Sequence, residues 1–240
     1  MTTDVRFTIL SMPADIAQAR SMVSRVYAES GYHPDQEEHA IPRTLDRADT
    51  ITLGAFHGDT LVGTISLVID GPQGLPMDCI YSEELTPLRA SQLRIAEVGQ
   101  FAIDSETYRA STGRAVPRFL ALAFFGAALS GAIAHECAYI CVAVNPKHAR
   151  FYRLLGFRKI GEEKRYGAVS APAIALVFRT EDWQRQSTLL GLLGREVEKH
   201  LLPQEFFFSA TTRPSQTLST ARVELATTQD TAARLPQTAP

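Results

Sequence analysis

Asn145-Pro-Lys-His-Ala-Arg-Phe-Tyr152-Arg-Leu-Leu-Gly156-Phe157 follows directly on the apolar run Cys137-Ala-Tyr-Ile-Cys-Val-Ala-Val144, and the junction of the two decides how this chain folds. The run is apolar on both alternating faces, the pattern of a strand covered by helices on each side. Asn145 offers a short acceptor to the free amides of a helix start, and Pro146 takes the first helical position, where no amide is needed. Gly156 supplies the residue that ends the helix. The expectation is a buried strand over 137–144 and a helix over 146–155.

Working outward, residues 114–135 read as a long apolar helix, preceded by a polar loop over 105–113. Residues 94–104, Arg-Ile-Ala-Glu-Val-Gly-Gln-Phe-Ala-Ile-Asp, read as a central strand with Gly99 a candidate bulge. Upstream, 51–56 and 61–69 form a hairpin turning at Gly58-Asp59. Ser82 is expected to cap a helical turn reaching Ala90. The first helix is expected over 13–29, with Pro13 in its first turn and Gly31 closing it. A short helix is expected within the acidic stretch, over 36–45.

Downstream, 157–161 and 173–178 read as the last strands. Residues 188–201 suggest an amphipathic helix with Leu189, Leu192, Leu193 and Val197 on one face. From Ser209 the chain is Thr, Ala, Gln, Pro and Arg without an aromatic residue, a composition expected to stay disordered. The organisation expected is a catalytic domain over 1–182, a helix within 183–208 and a tail over 209–240. A hairpin mixed with crossover helices implies one α/β domain, a mixed sheet with helices on both faces.

Apolar residues make up 45% of the 240, charged residues 21%, and the formal net charge is -2. That is an ordinary globular composition, and it gives no global argument for nucleic acid or membrane binding. The longest apolar stretch, 119–134, is interrupted by Ser130 and Gly131 and is short for a bilayer. The three cysteines, Cys79, Cys137 and Cys141, follow no disulfide or metal spacing, and no basic-then-apolar leader opens the chain. A reduced, cytoplasmic setting is expected.

Asn-x6-Tyr-x3-Gly-Phe on a capped helix after a buried strand resembles the closing motif of the GNAT acyltransferase superfamily, with His148 where Ala is usual. The resemblance implies a GNAT-type, mostly antiparallel sheet with one splayed pair of parallel strands, the pantetheine arm of an acyl donor lying in the split. It also implies Asn145 and Tyr152 as donor-binding residues, with Tyr152 protonating the leaving thiolate. The superfamily's phosphate-holding glycine turn is represented here by Tyr108-Arg-Ala-Ser-Thr-Gly113-Arg-Ala115. Gly113 stands as the remnant of that turn, and Arg109 and Arg114 supply charge. So reduced a cradle suits a donor with a single phosphate at the root of its arm, such as acyl carrier protein, better than acyl-CoA.

Leu75-Pro-Met-Asp-Cys-Ile-Tyr, Ala96-Glu97-Val-Gly-Gln-Phe-Ala-Ile-Asp104, the Asn145 segment and Ala168-Val-Ser-Ala-Pro-Ala173 together resemble the N-acyl amino acid synthases. Those enzymes are akin to the acyl-homoserine-lactone synthases. The resemblance spans about residues 5–180 and implies transfer of a long-chain acyl group from acyl carrier protein to the α-amine of an amino acid. No cofactor is bound permanently in such a reaction. Glu97 is the candidate base, since a carboxylate within a central strand is uncommon and amide formation needs a neutral amine. By analogy, Phe101, Ala102 and Ile103 lie beside the thioester, where an edge amide stabilises the oxyanion. Gln100 replaces an Arg usual in the family.

Arg109, Arg114, Arg118, Lys147, Arg150 and Arg153 cluster at the expected mouth, where an acidic carrier protein would dock. Two rival readings accompany this one: an acetyl-CoA-dependent N-acetyltransferase, and an inactive GNAT-like module that binds acyl donors.

Overall fold

The computed structural model describes residues 5–32, 45, 47–117, 119–166 and 171–208. The chain opens with β1 Arg6–Ile9, α1 Pro13–Glu29, β2 Thr50–His57 and β3 Thr60–Ile69. It continues through α2 Asp78–Ala90, β4 Ile95–Ile103, α3 Ser105–Thr112, α4 Leu120–Ala134 and β5 Tyr139–Val144. A 3-10 turn, Pro146–His148, leads into α5 Ala149–Leu154, then β6 Arg158–Lys159, β7 Lys164–Tyr166 and β8 Ala171–Arg179. The helices α6 Trp183–Leu190, α7 Leu192–Glu198 and α8 Gln204–Phe208 follow.

The strands form a mixed sheet ordered β1-β2-β3-β4-β5-β8-β6, with β7 added on β8. Every pairing is antiparallel except β4 with β5. One sheet face packs Ala19, Met22 and Val23 of α1 and Tyr81 and Leu85 of α2; the other packs α4, through residues such as Phe124 and Leu129. This is the GNAT-type mixed α/β architecture that the sequence implied.

Hairpin and first helix lie where the residues put them, with His57 opposite Thr60 across a left-handed Gly58. Several expectations need correction. Residues 105–112 are a helix rather than a loop, because Asp104 accepts the Thr107 amide at 2.9 Å and Gly113 closes the other end at φ 67°. Its polar composition hid it; Tyr108 is the residue it buries. The apolar helix begins at Leu120, after Pro117, rather than at 114. Ser82 is not a cap: α2 starts at Asp78 and kinks at Tyr81, whose hydroxyl donates to the carbonyls of Glu162 (2.8 Å) and Ala173 (2.7 Å).

β1 and β7 were not anticipated, being short strands without a sustained pattern. The expected helix over 188–201 is broken at Gly191 (φ 56°), which turns α7 back onto α4. Val197 is therefore buried, while Leu189 and Leu192 are each 75% exposed instead of sharing its face. The close approach explains Gly126, where an added Cβ would stand 2.7 Å from the Val197 carbonyl. The expected short helix over 36–45 falls almost entirely, and the tail from 209 falls wholly, outside the described residues. Among those described, no helix is long and apolar enough to cross a membrane.

Candidate active site

The parallel strands β4 and β5 are bonded only through Ile95–Tyr139, Ala96–Ile140 and Glu97–Cys141. Beyond Glu97 they part. β4 stays with β3 as far as Ile103, and β5 stays with β8 as far as Val144. A bulge in β4 accompanies the parting: Ser66 and Thr64 of β3 are two apart, whereas their partners Gly99 and Ala102 are three apart. The sequence placed this bulge at Gly99; the left-handed residue is its neighbour Gln100, at φ 49°. A bulge bends its strand and resets the alternation of its side chains. Phe101 consequently meets Phe124 of α4 at 5.2 Å, while Ala102 packs with Ala19, Met22 and Val23 of α1. Gln100 turns to the α1 face, where Ser66 donates to its Oε1 at 3.2 Å.

A cavity of about 530 Å³ occupies the gap and is bordered from both faces of the sheet. Tyr27 of α1 borders it on one face, and Ala121 of α4 and Phe151 of α5 on the other. Of the residues singled out from sequence, Glu97, Phe101, Ala102, Ile103, Asn145 and Tyr152 all lie on its wall. Arg109, Gly113 and Arg114 do not; they are exposed, and Gly113 serves as the left-handed cap of α3. Lys147, Arg150 and Arg153 are exposed around the turn after β5 and along α5, and Arg118 lies outside the described residues.

Glu97 is 4% exposed. Its Oε2 accepts the Met77 amide at 2.7 Å, and its neighbours across the sheet are Val68 and Cys141. Burial raises its pKa to about 8; the Met77 bond and Arg47 oppose this, and Asp78 adds to it. A group with its pKa near neutrality is suited to take a proton in one step and give it up in the next.

Tyr152 lies on α5, its ring edge-on to Phe151 at 5.4 Å and to Phe157 at 5.3 Å. Phe157 continues the stack onto Phe178 at 5.3 Å. Asn145 accepts the Lys147 amide at 3.1 Å, and Gly156 takes φ 98°, so the turn before α5 and the turn after it are both held by the residues that signalled them. Burial pushes the Tyr152 phenol up to about 12, and it therefore carries its proton at neutral pH.

Sequence reasoning missed two phenols that line the same cavity, Tyr27 and Tyr166. Burial, reinforced by Tyr152, Tyr32 and Glu97, pushes Tyr27 up; burial with Glu97 and Cys79 does the same for Tyr166. Tyr27 sits in an amphipathic helix and Tyr166 in a three-residue strand, so neither carried a motif. His148, read as structural or a surface contact, also borders the cavity, 3.5 Å from the Tyr32 hydroxyl, while Lys147 stands 4.7 Å over the Tyr32 ring. His33, His39 and 168–170 of the distinctive Ala168–Ala173 turn lie outside the described residues; Ala171, Pro172 and Ala173 line the cavity. Cys137 and Cys141 are buried, as their apolar run implied, and no metal-capable cluster of His, Cys, Asp or Glu occurs among the described residues.

The model of a family described as "FeeM: N-acyl amino acid synthase FeeM" matches residues 18–179. Among solved structures, FeeM, an N-acyl amino acid synthase from uncultured soil microbes, is 40% identical, with a TM-score of 0.71 over 77% of this chain and 96% of that one. A mutant agmatine N-acetyltransferase in its apo form shares 13% identity at a TM-score of 0.55, over 73% of this chain and all 100% of its own. Escherichia coli ElaA shares 12% at 0.51, over 72% and 98% respectively. The latter two show the fold alone. Among curated protein sequences, none matches this one.

Proposed function

This chain belongs to the FeeM family of N-acyl amino acid synthases and is an N-acyltransferase; from that premise we propose that it moves a long-chain acyl group from acyl carrier protein to the α-amine of an amino acid. The observation that carries the reading is the cavity in the split between β4 and β5, which both Glu97 and Tyr152 line.

In the proposed reaction the amine nitrogen attacks the thioester carbonyl, the C–N bond forms, and the C–S bond breaks. The Glu97 carboxylate takes the proton that the amine must lose, directly or through water. Tyr152 gives its proton to the departing thiolate. Phe101, Ala102 and Ile103 of β4 line the cavity, and a backbone amide among them would hold the oxyanion. Asn145, with the capped turn it makes, borders the donor's arm.

The choice of carrier protein over CoA draws on the phosphate turn and the surface. Arg109, Gly113 and Arg114 stand away from the cavity wall and are exposed, leaving a reduced cradle for a nucleotide pyrophosphate. Exposed Lys147, Arg150 and Arg153 offer an acidic carrier a complementary surface beside Asn145. We further take 1–182 as the catalytic unit, working in the cytoplasm.

The experiment is direct. Purified protein is given long-chain acyl carrier protein, the matching acyl-CoA or acetyl-CoA, each with a mixture of amino acids, and products are read by mass spectrometry. N-acyl amino acids formed from the carrier and absent in Glu97→Gln support the reading. Turnover of acetyl-CoA with no response to carrier overturns it, and binding of acylated carrier without turnover favours an inactive module.

A further inference from the structure

We propose that Arg89 is a positioning residue for Glu97: by gripping Asp70 and Asp78 at once it fixes the 74–77 turn that holds the Met77 amide on the Glu97 carboxylate. The inference rests on the reading of Glu97 as the base. It stands on a continuous chain of contacts that leads from the far end of α2 into the cavity wall.

The Arg89 guanidinium donates to Asp70 through Nε (2.8 Å) and Nη2 (2.9 Å), and to Asp78 through Nη1 (2.7 Å) and Nη2 (2.6 Å). This is a fork used on both sides, which a lysine ammonium cannot reproduce. Asp70 is itself anchored, its amide donating to the Ile95 carbonyl at 2.9 Å, two residues before Glu97. Asp78 passes the constraint on, accepting the Leu75 amide at 2.6 Å while its own amide bonds the Leu75 carbonyl at 3.0 Å. Met77 lies between these two fixed residues, and its amide is the one that reaches Glu97 at 2.7 Å.

The turn is shaped for this contact. Gly74 is left-handed at φ 66°, and an added Cβ would stand 2.6 Å from Asp78 Oδ2. Its carbonyl accepts Arg47 Nη2 at 2.6 Å, and Arg47 is in turn paired with Asp49. The strong, partly shielded ion pairs therefore sit on a turn whose visible product is one aimed amide.

The titratable and charged groups around Glu97 come from each neighbouring element. Asp78 and Cys79 belong to α2, Arg47 to the segment before β2, Cys141 to β5, Tyr27 to α1 and Tyr166 to β7. Removing Arg89 loosens the Met77 amide and leaves Asp78 without its partner. Both changes favour the protonated carboxyl. A base must shed its proton to act, so the acid limb of the rate profile moves to higher pH.

The test compares Arg89→Met, Arg89→Lys, Asp70→Asn and Glu97→Gln, using long-chain acyl carrier protein as donor and the amino acid mixture as acceptor. Arg89→Met should lower the rate about five- to tenfold at pH 7, recover near pH 9.5, and leave the donor KM unchanged. Arg89→Lys should fall between it and the parent. Asp70→Asn, which removes one arm without burying a new charge, gives a milder shift and keeps the test open if Arg89→Met does not fold. An acid limb that stays in place while only the thermal midpoint drops makes the clasp purely structural and overturns the proposal. An active Glu97→Gln instead removes the base reading itself, and these inferences then fall together for a distinguishable reason.

Discussion

The Met77 amide and the Glu97 carboxylate meet at 2.7 Å, and this is the hydrogen bond given to a carboxylate that burial holds at a pKa of about 8. Proton affinity is thus greater in the folded state than in the unfolded chain. The folded protein binds more protons between the ordinary glutamate range near 4.5 and about 8, so Glu97 withdraws stability as pH rises through that window.

Glu97→Gln should therefore have opposite effects on rate and stability. The amide can still accept from Met77 but cannot take a proton, and turnover should fall about 10²- to 10⁴-fold. The variant should be more stable than the parent at pH 9, by an amount on the order of 3 kcal/mol or less and with a correspondingly higher thermal midpoint, and match it near pH 4. Parent activity should climb through about pH 8, where Glu97 loses its proton. Thermal scans at the two pH values, with steady-state rates from pH 6 to 9.5, check all three.

Tyr152→Phe separates packing from chemistry. The ring is held by Phe151 and Phe157, and phenylalanine keeps those contacts. Turnover should drop at least tenfold with the melting temperature within about 2 °C of the parent. Single-turnover kinetics with acyl carrier protein will show whether thiolate release has slowed; an unchanged rate removes Tyr152 from the reaction.

Gly63→Ala probes the packing under the bulge. The new Cβ would lie 2.6 Å from Phe124 Cζ and 3.0 Å from the Ala102 carbonyl. Phe124 has little freedom to retreat, being edge-on to both Phe7 and Phe101 at 5.2 Å. Overpacking of this kind costs about 1–3 kcal/mol, and urea denaturation should show the unfolding free energy falling by that amount, with a lower midpoint.

Asp104 joins α1 to the start of α3, accepting from Arg25 and from the Thr107 amide. Burial works to raise its pKa, yet the bonds from Arg25 and Thr107 outweigh it and leave the group below its ordinary value. The sign is opposite to that of Glu97: this stability is present above the unfolded pKa and lost as pH falls through the folded one. Asp104→Asn should cost about 1–3 kcal/mol at pH 7, with the difference closing as pH falls below the ordinary aspartate value of 3.8. Denaturation across that range is the measurement.

Truncation after Phe208 should leave activity intact, since the described cavity wall draws on residues between Val26 and Ala173. Truncation after Pro203 removes Phe207, which is buried on α4 beside Gly131 and 6.5 Å from His135. That shorter chain should melt several degrees lower. Differential scanning fluorimetry on the two truncations decides between them.

The sequence by itself determined the elements whose signals are local. Asn145, Pro146 and Gly156 specify a cap, a first turn and an end wherever they occur, and Gly58-Asp59 turns a hairpin without distant help. The motif built on that helix pointed to the GNAT fold, and it took three further segments beside it, 75–81, 96–104 and 168–173, to point to the family. Asp104 capping α3 was equally local but went unread, because the helix it starts is polar.

Tertiary structure decided what depends on distant residues meeting. A strand's sequence does not say where its bulge falls, because a bulge is a mismatch of register between two strands; it falls between Gly99 and Ala102, with Gln100 left-handed, and it turns Phe101 to α4 and Ala102 to α1. Glu97 could be suspected from its setting, but its partner came from the turn at Met77, twenty residues upstream. Tyr27 and Tyr166 joined the cavity wall for the same reason. The segment 145–157 fixed where one wall of the site would stand. Only the packing of the sheet fixed what faces it.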